Sequence, residues 1–351
     1  MSKHIFYFDL VGRADEFQRI IGEAPEITLR QLAYDMPENE IQPVFDVAQG
    51  YQVRGNRTLL PEAYRPAPAL IERCPNLLAV STSGAGYDIV DVEACTEAGI
   101  AVVNQAGMNA EGVAEHALGH MLALSRQMAQ SDKAMRRDRN WERRDFMGHN
   151  ICEKTVGILG LGSIGTRLAG FCKAFRMRVL ACHPRLSQEE AARRGAELMG
   201  FEEMLRESDF VVVAAPRNAE TEGLFDASAF KLMKPTAYFV TVGRGGIHVD
   251  EDLVEALEKG EIAGAGIDVW LIEPPALDHP LLRFDNVLAT PHNAGMTSEN
   301  FLQTARGAAE QWVEIMRGHR PPRLVNEQVW PHYCERFEKI MGHPVEEGHA
   351  S

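Results

Sequence analysis

The 351 residues carry 50 acidic against 36 basic side chains, a net charge of −14 that leaves no positive surplus for a phosphate backbone and excludes nucleic acid as a partner. At 45% hydrophobic and 25% charged, the chain has the composition of a globular protein and the length for two domains. No apolar run reaches membrane-span length and the N-terminal one stops at Asp9, too short for a signal-peptide core; six scattered cysteines without CxxC spacing predict reduced thiols in a cytoplasmic protein.

In chain order, the first hundred residues alternate loosely. "HIFYF", a helix through Arg13–Ile21, "EITLRQL", "NLLAVSTSG" and "IAVVN" read as one α/β unit. The stretch "NAEGVAEHALGHMLALSRQMAQSDKAMRRD" reads as one long helix leading into a second domain. The basic run Met135–Arg144 is interleaved with acids and reads as a solvated helix face. From Thr155 onward the alternation is regular. "TVGILG", "RVLAC", "DFVVVAA", "AYFVTV", "AGAGID" and "NVLAT" read as strands buried on both faces. "SIGTRLAGFCKAF", "SQEEAARRG", "FEEMLRE" and "DEDLVEALEKG" read as the helices between them, the last stopping at Gly260. Such alternation predicts an α/β fold with a doubly wound parallel sheet. A helix after Gly295 lies beyond the last of these strands and is expected to return to the N-terminal domain. The expected division is 1–103 and 295–351 around an inserted dinucleotide-binding domain, 104–294. The tail from Pro331 onward is polar and carries little signal.

"GILGLGSIG" places Gly160, Gly162 and Gly165 in G-x-G-x-x-G spacing between a strand and a helix. The first glycine permits the turn, the second lets a pyrophosphate approach the backbone, and the third allows close helix packing. About twenty residues on, a carboxylate usually binds the ribose 2′-hydroxyl. Here "ACHPRLS" puts His183 at that place and Arg185 two residues later. A histidine does not repel a 2′-phosphate and an arginine attracts one, so the reading is NAD or NADP with a lean towards NADP. Were His183 neutral filler and Arg185 solvated, either cofactor would be accepted.

Three later stretches end strands at the carboxyl edge, where such sheets bind their ligands: Arg244 in "TVGRGGIHVD", Asp268 and Glu273 in "GAGIDVWLIEPP", and His292 in "VLATPHNAG". Taken singly, each has a plainer explanation as a solvated or loop residue. Together, beside a dinucleotide turn, they predict one site. His116 and His120, one helical turn apart in "EHALGH", have zinc-compatible spacing but no third ligand nearby, and no metal is expected.

With these residues in place the chain resembles the D-isomer-specific 2-hydroxy acid dehydrogenases from about Leu77 to Asn326. "SGAGYDIVDV", "NQAGMNAEGVAEHALG", "VGRGG", "GAGIDVWLIEPP", "TPHNAG" and "PPRLVN" stand in family order. The resemblance implies a Rossmann domain inserted into a discontinuous flavodoxin-like substrate domain, and hydride transfer between nicotinamide and a small 2-keto or D-2-hydroxy acid. It makes His292 the general acid/base, Glu273 its partner, and Arg244 the carboxylate clamp. Asp268 would reach the nicotinamide end. Ser163 and Ile164 in the turn, and Pro216, Thr221, Val242 and Gly243 in later loops, join the cofactor set. Ala85, Gly86 and Asn104 would bind the substrate. The family suggests a homodimer using the helix near Glu111–Asp132.

Ile89 and Ala214 depart from the family's habits and put the side-chain pocket in doubt. Glyoxylate, hydroxypyruvate, phosphoglycerate and bulkier keto acids all remain open. Two other readings stand beside this one: a formate- or phosphite-oxidising relative, with Glu273 arguing against the formate type, and a cofactor-sensing corepressor-like protein on the same scaffold.

Overall fold

Short apolar runs covered on both faces satisfy their backbone groups only by pairing side by side, with helices to shield them. The computed structural model describes residues 3–10, 12–54, 60–137 and 141–346, and within them the chain forms two such sheets, in separate units. One unit comprises Met1–Asn109 and Thr297–Ser351; the other comprises Ala110–Met296.

In the first unit the order is β1 (Lys3–Tyr7), α1 (Ala14–Gly22), β2 (Ile27–Gln31), α2 (Glu38–Phe45), β3 (Gly50–Val53), α3 (Pro68–Arg73), β4 (Ala79–Thr82), α4 (Val92–Glu97) and β5 (Ala101–Val103). The sheet runs β2-β1-β3-β4-β5, all parallel, which is the flavodoxin-like order. β3 was not among the strands expected from sequence. Its GYQV is too short to show a period, yet all four residues are buried.

The second unit runs α5 (Ala110–Ser125), α6 (Met128–Arg137), β6 (Thr155–Leu159), α7 (Ser163–Ala174), β7 (Arg178–Cys182), α8 (Gln188–Arg193), β8 (Glu197–Leu198), α9 (Phe201–Glu207), β9 (Phe210–Val213), α10 (Ala227–Leu232), β10 (Tyr238–Thr241), α11 (Asp250–Lys259), β11 (Gly264–Ile267) and β12 (Val287–Ala289). The sheet order is β12-β11-β10-β9-β6-β7-β8, again all parallel. The order reverses at β6, whose neighbours are β7 and β9, and the turn after β6 therefore opens at the switch point where such sheets take ligands. As expected, α11 ends at Gly260, which is left-handed at φ 66°.

The single long helix expected before β6 is two. Gln127, at φ 50°, breaks it between α5 and α6. Of the basic run Met135–Arg144, residues 138–140 lie outside the described residues; α6 ends at Arg137 and Arg143–Phe146 form a 3-10 turn. Two further helices complete the first unit, α12 (Ser298–Arg317) against α1, and α13 (Trp330–Met341). The polar-looking tail thus contains α13, which buries Tyr333, Phe337 and Met341. Two of those three are aromatics spaced one turn apart, a weak pattern inside a charged background. No helix among the described residues is long and apolar enough to cross a membrane, and the six cysteines are free.

Candidate active site

The glycine turn shows three different needs. Gly160 sits at φ 94°, and a Cβ there would lie 2.9 Å from the Ala215 nitrogen. A Cβ on Gly165 would lie 2.1 Å from the Gly160 carbonyl oxygen, so α7 can approach the turn only with glycine there. A Cβ on Gly162 would meet no protein atom within 4 Å. Packing therefore does not demand glycine at 162, and the open space there leaves its backbone approachable from outside. Gly162 caps α7 without a side chain, leaving the N–H groups of Ser163, Ile164 and Gly165 pointing out of the helix start.

At the end of β7, the half-buried His183 accepts a hydrogen bond at Nδ1 from the Arg185 backbone N–H, at 3.2 Å. Burial, then the charges of Arg194 and Arg185, push its imidazole below the ordinary histidine range. Arg185 is exposed. Arg194 was not anticipated from sequence. It lies beyond α8, and its guanidinium donates to the Leu161 carbonyl of the glycine turn at 2.8 Å. An arginine eleven positions past His183 carries no motif, so only the fold of α8 brings it back.

Between these two regions, the Thr221 hydroxyl donates to the Pro216 carbonyl at 2.8 Å, tying the loop after β9 together. Val242 continues β10 by donating its N–H to Val213 O at 3.1 Å. A Cβ on Gly243 would lie 2.5 Å from Ala215 O, so the loops after β9 and β10 touch backbone to backbone.

Arg244 follows directly, half-buried, with Nη1 donating to the Gly243 carbonyl at 2.7 Å. His292 Nδ1 lies 2.8 Å from both Oε1 and Oε2 of Glu273. The Trp270 backbone N–H donates to Glu273 Oε1 at 3.1 Å. Burial works to raise the Glu273 carboxyl, but the hydrogen bond and charge of His292, the Trp270 N–H and the charge of Arg244 outweigh it and hold it below the ordinary glutamate range. Of the three expected residues, Glu273 and His292 are thus in contact, and Arg244 acts on Glu273 through its charge.

His292 is held in an unusual backbone state, φ 52°, which L-residues adopt at a cost of about 1 kcal/mol or more. Asp268 supplies the compensation. Its carbonyl accepts the His292 N–H at 2.8 Å, and its buried carboxylate accepts the N–H groups of Asn293 and Ala294 at 3.0 and 3.1 Å. Thr290 gives its hydroxyl proton to Asp268 Oδ1 at 2.7 Å. The Nε2 atoms of His116 and His120 lie 3.1 and 3.3 Å from the same hydroxyl, and with its single proton given away both imidazoles must donate to it. His116 and His120, spaced as a zinc pair in sequence, thus turn to Thr290. Burial, then the neighbouring His116, push His120 down to about 4.

In the first unit the Asn104 amide donates to the Ala85 carbonyl at 2.8 Å, bracing the loop after β4 that also carries Gly86. Ile89, which departs from the family's habit, is a core residue, 4% exposed.

Comparisons with known proteins agree with this fold. The family model described as D-isomer specific 2-hydroxyacid dehydrogenase, NAD binding domain, matches residues 118–294. D-3-phosphoglycerate dehydrogenase of Archaeoglobus fulgidus is 41% identical over 257 residues, 73% of this chain and 49% of that protein. Glyoxylate reductase of Aeropyrum pernix is 40% identical over 267 residues, 74% of this chain and 79% of that protein. The crystal structure of a glyoxylate reductase from Paecilomyes thermophila superposes with a TM-score of 0.82 at 26% identity, covering 93% of this chain and 99% of that one. The chain spans about half the length of the phosphoglycerate dehydrogenases it matches.

Proposed function

The chain belongs to the family of D-isomer-specific 2-hydroxyacid dehydrogenases, and we propose that it is an NAD(P)-dependent oxidoreductase interconverting a small 2-keto acid and its D-2-hydroxy acid. The observation that carries this reading is the His292–Glu273 pair, with Nδ1 at 2.8 Å from both carboxylate oxygens. The carboxylate fixes the ring proton on Nδ1 and leaves Nε2 as the nitrogen that exchanges a proton with the substrate.

The turn around Gly162 and the bare start of α7 fit a dinucleotide pyrophosphate, and the loops carrying Pro216, Thr221, Val242, Gly243 and Asp268 would complete its site. When bound, the nicotinamide gives or takes the hydride. In reduction, His292 Nε2 delivers a proton to the keto oxygen, which becomes the hydroxyl; in oxidation it removes that proton. Glu273, ionised, stabilises the imidazolium form needed to give it. Arg244 clamps the substrate carboxylate with its planar fork and draws charge towards the keto oxygen. Ala85 and Gly86, in the loop that Asn104 braces, would offer backbone N–H groups for binding substrate.

We further assign a lean towards NADP. His183 replaces the acid that would repel a 2′-phosphate, and two cations, Arg185 and Arg194, act on it. The test is a panel of 2-keto acids, from glyoxylate and hydroxypyruvate to bulkier members, assayed with both reduced cofactors. Turnover of at least one with oxidation of the cofactor is expected. Silence across the panel in both directions would overturn the assignment.

A further inference from the structure

Glu273 stands in a segment that has little to hold it. Leu271, Ile272 and Leu277 are 59%, 75% and 100% exposed, so apolar burial does not fix the chain between Trp270 and the following 3-10 turn, Pro280–Arg283. Yet Glu273 meets His292 at hydrogen-bonding distance through both oxygens.

A polar cluster outside the reacting groups explains how. Asp250, the first residue of α11, lies between two imidazoles. His248 Nε2 is 2.9 Å from its Oδ1, though off the line of an N–H hydrogen bond, and His279 Nε2 is 3.3 Å from its Oδ2. His279 accepts the Leu281 backbone N–H at Nδ1, at 3.4 Å, which puts its ring proton on Nε2 and makes it the donor to Asp250. The same ring makes a T-shaped contact with Trp270, 5.2 Å between centroids. Trp270 then reaches the site twice: its indole N–H donates to the Thr290 carbonyl at 3.0 Å, and its backbone N–H donates to Glu273.

We propose that Asp250 and His279 are positioning residues for the acid/base pair: the carboxylate holds the imidazole, the imidazole seats Trp270, and Trp270 fixes Glu273 against His292. The other charged groups around the cluster are differently engaged. On α11, Asp252 accepts the Ala227 N–H at 2.9 Å and Glu258 pairs with Arg283 of the 3-10 turn. Glu251 in the first turn of α11 and Asp278 beside His279 are the further acidic residues next to the cluster in sequence. His248 is 3% exposed and packs against Phe239, so the imidazole on the core side of Asp250 is itself fixed by packing.

The inference rests on the acid/base reading, and the test separates the two. His279→Leu, His279→Gln and Asp250→Asn are measured in the full chain beside Glu273→Gln, with kcat, KM for cofactor and keto acid, thermal midpoint and the acid limb of kcat/KM. Since Glu273 must be ionised and contact with His292 helps hold its carboxyl low, loosening that contact raises its titration towards the ordinary range, and activity is lost at a higher pH on acidification. His279→Leu is expected to lower kcat about tenfold, leave the cofactor KM unchanged and move the acid limb upward. His279→Gln keeps a donor towards Asp250 and restores kcat to within about threefold of wild type. Asp250→Asn moves both readouts in the direction of His279→Leu, which keeps the proposal testable if the leucine variant does not fold. A lower thermal midpoint with wild-type kcat and acid limb would make the cluster structural only and overturn the proposal. If Glu273→Gln shifts kcat and the limb while the clamp variants do not, the clamp alone falls. If Glu273→Gln also changes nothing, the acid/base reading falls and the clamp with it.

Discussion

The two sides of the seven-stranded sheet are built to different tolerances. After β10, β11 and β12 every chemistry-bearing side chain has internal partners: Arg244 on Gly243, Glu273 on Trp270 and His292, and the His292 turn on Asp268. After β7 there is little wiring: His183 takes one long bond from its neighbour's N–H, Arg185 is exposed, and Arg194 alone is tied back to the glycine turn. Proton transfer fails when atoms stray by fractions of an ångström, whereas preference for a charged group needs only net charge of the right sign nearby. The wired side is where chemistry is expected, and the loose side is where selectivity is expected.

Substitutions can break that contrast, and the largest effect belongs to the wired side. His292→Ala should lower kcat by about 10²–10⁴ while cofactor affinity, measured by fluorescence titration, stays near wild type. A mutant turning over at wild-type speed would remove the imidazole from the mechanism and leave the wiring without a purpose. Next comes the layer beneath. His120 titrates near 4 in the folded chain against an ordinary 6.5, through burial first and His116 second. The folded state therefore refuses a proton that the unfolded chain accepts, and stability is lost as pH falls from about 6.5 towards 4. Between pH 7 and 5 this amounts to about 2 kcal/mol, an upper figure for a single buried group. In urea titrations at those two pH values, His120→Gln should lose less stability than wild type; equal losses would mean that His120 is not the group responsible.

Glu273→Gln should have a smaller effect on rate. The amide oxygen can still accept the Nδ1 proton, so the tautomer survives and only the charge is lost, which is expected to lower kcat about tenfold. The sign of the pH effect is the sharper readout. The Glu273 carboxyl lies below its ordinary range when folded, so the ionised pair persists as pH falls through 4.5 and is lost only when the depressed value is reached. Wild type should show an acid limb below the ordinary glutamate range, and the glutamine variant should lack it.

How much of this could be read from the chain follows the same division. Strand–helix alternation after Thr155 is strong because most of these strands are covered on both faces and read as apolar runs; β12, expected to be buried like the rest, lies at the sheet edge and is half-buried to exposed. β3 and α13 were not legible. The first is four residues long, and the buried aromatics of the second sit among charged neighbours. The break at Gln127 has no glycine or proline to announce it. In the site, Arg244, Glu273 and His292 stand out because each follows a strand's carboxyl end and matches a motif. Arg194 and Asp250 do not, because their roles arise from folding distant segments together; Thr290 and Trp270 lie inside the quoted motifs, but nothing in their spacing announces the hydrogen bonds they make. Asp268 read as a cofactor residue, yet its buried carboxylate also holds the His292 turn, a duty that only the hydrogen bonds reveal.

The smallest expected effect tests the loose side. Arg185→Ala should raise the KM for NADPH about tenfold with little change for NADH, the discrimination one charge-assisted contact to a phosphate can supply. Arg194→Ala differs in kind. Its guanidinium also holds the Leu161 carbonyl, so its removal should loosen the glycine turn and weaken both cofactors, NADPH more. Because Arg185 is exposed, its contribution is screened: raising ionic strength from about 0.05 to 0.5 M should erode the NADPH preference in wild type and leave Arg185→Ala nearly unchanged. Equal weakening of both cofactors by Arg185→Ala, or a preference indifferent to salt, would mean that the loop after β7 is solvated surface and that any selectivity resides in Arg194 and the turn it braces.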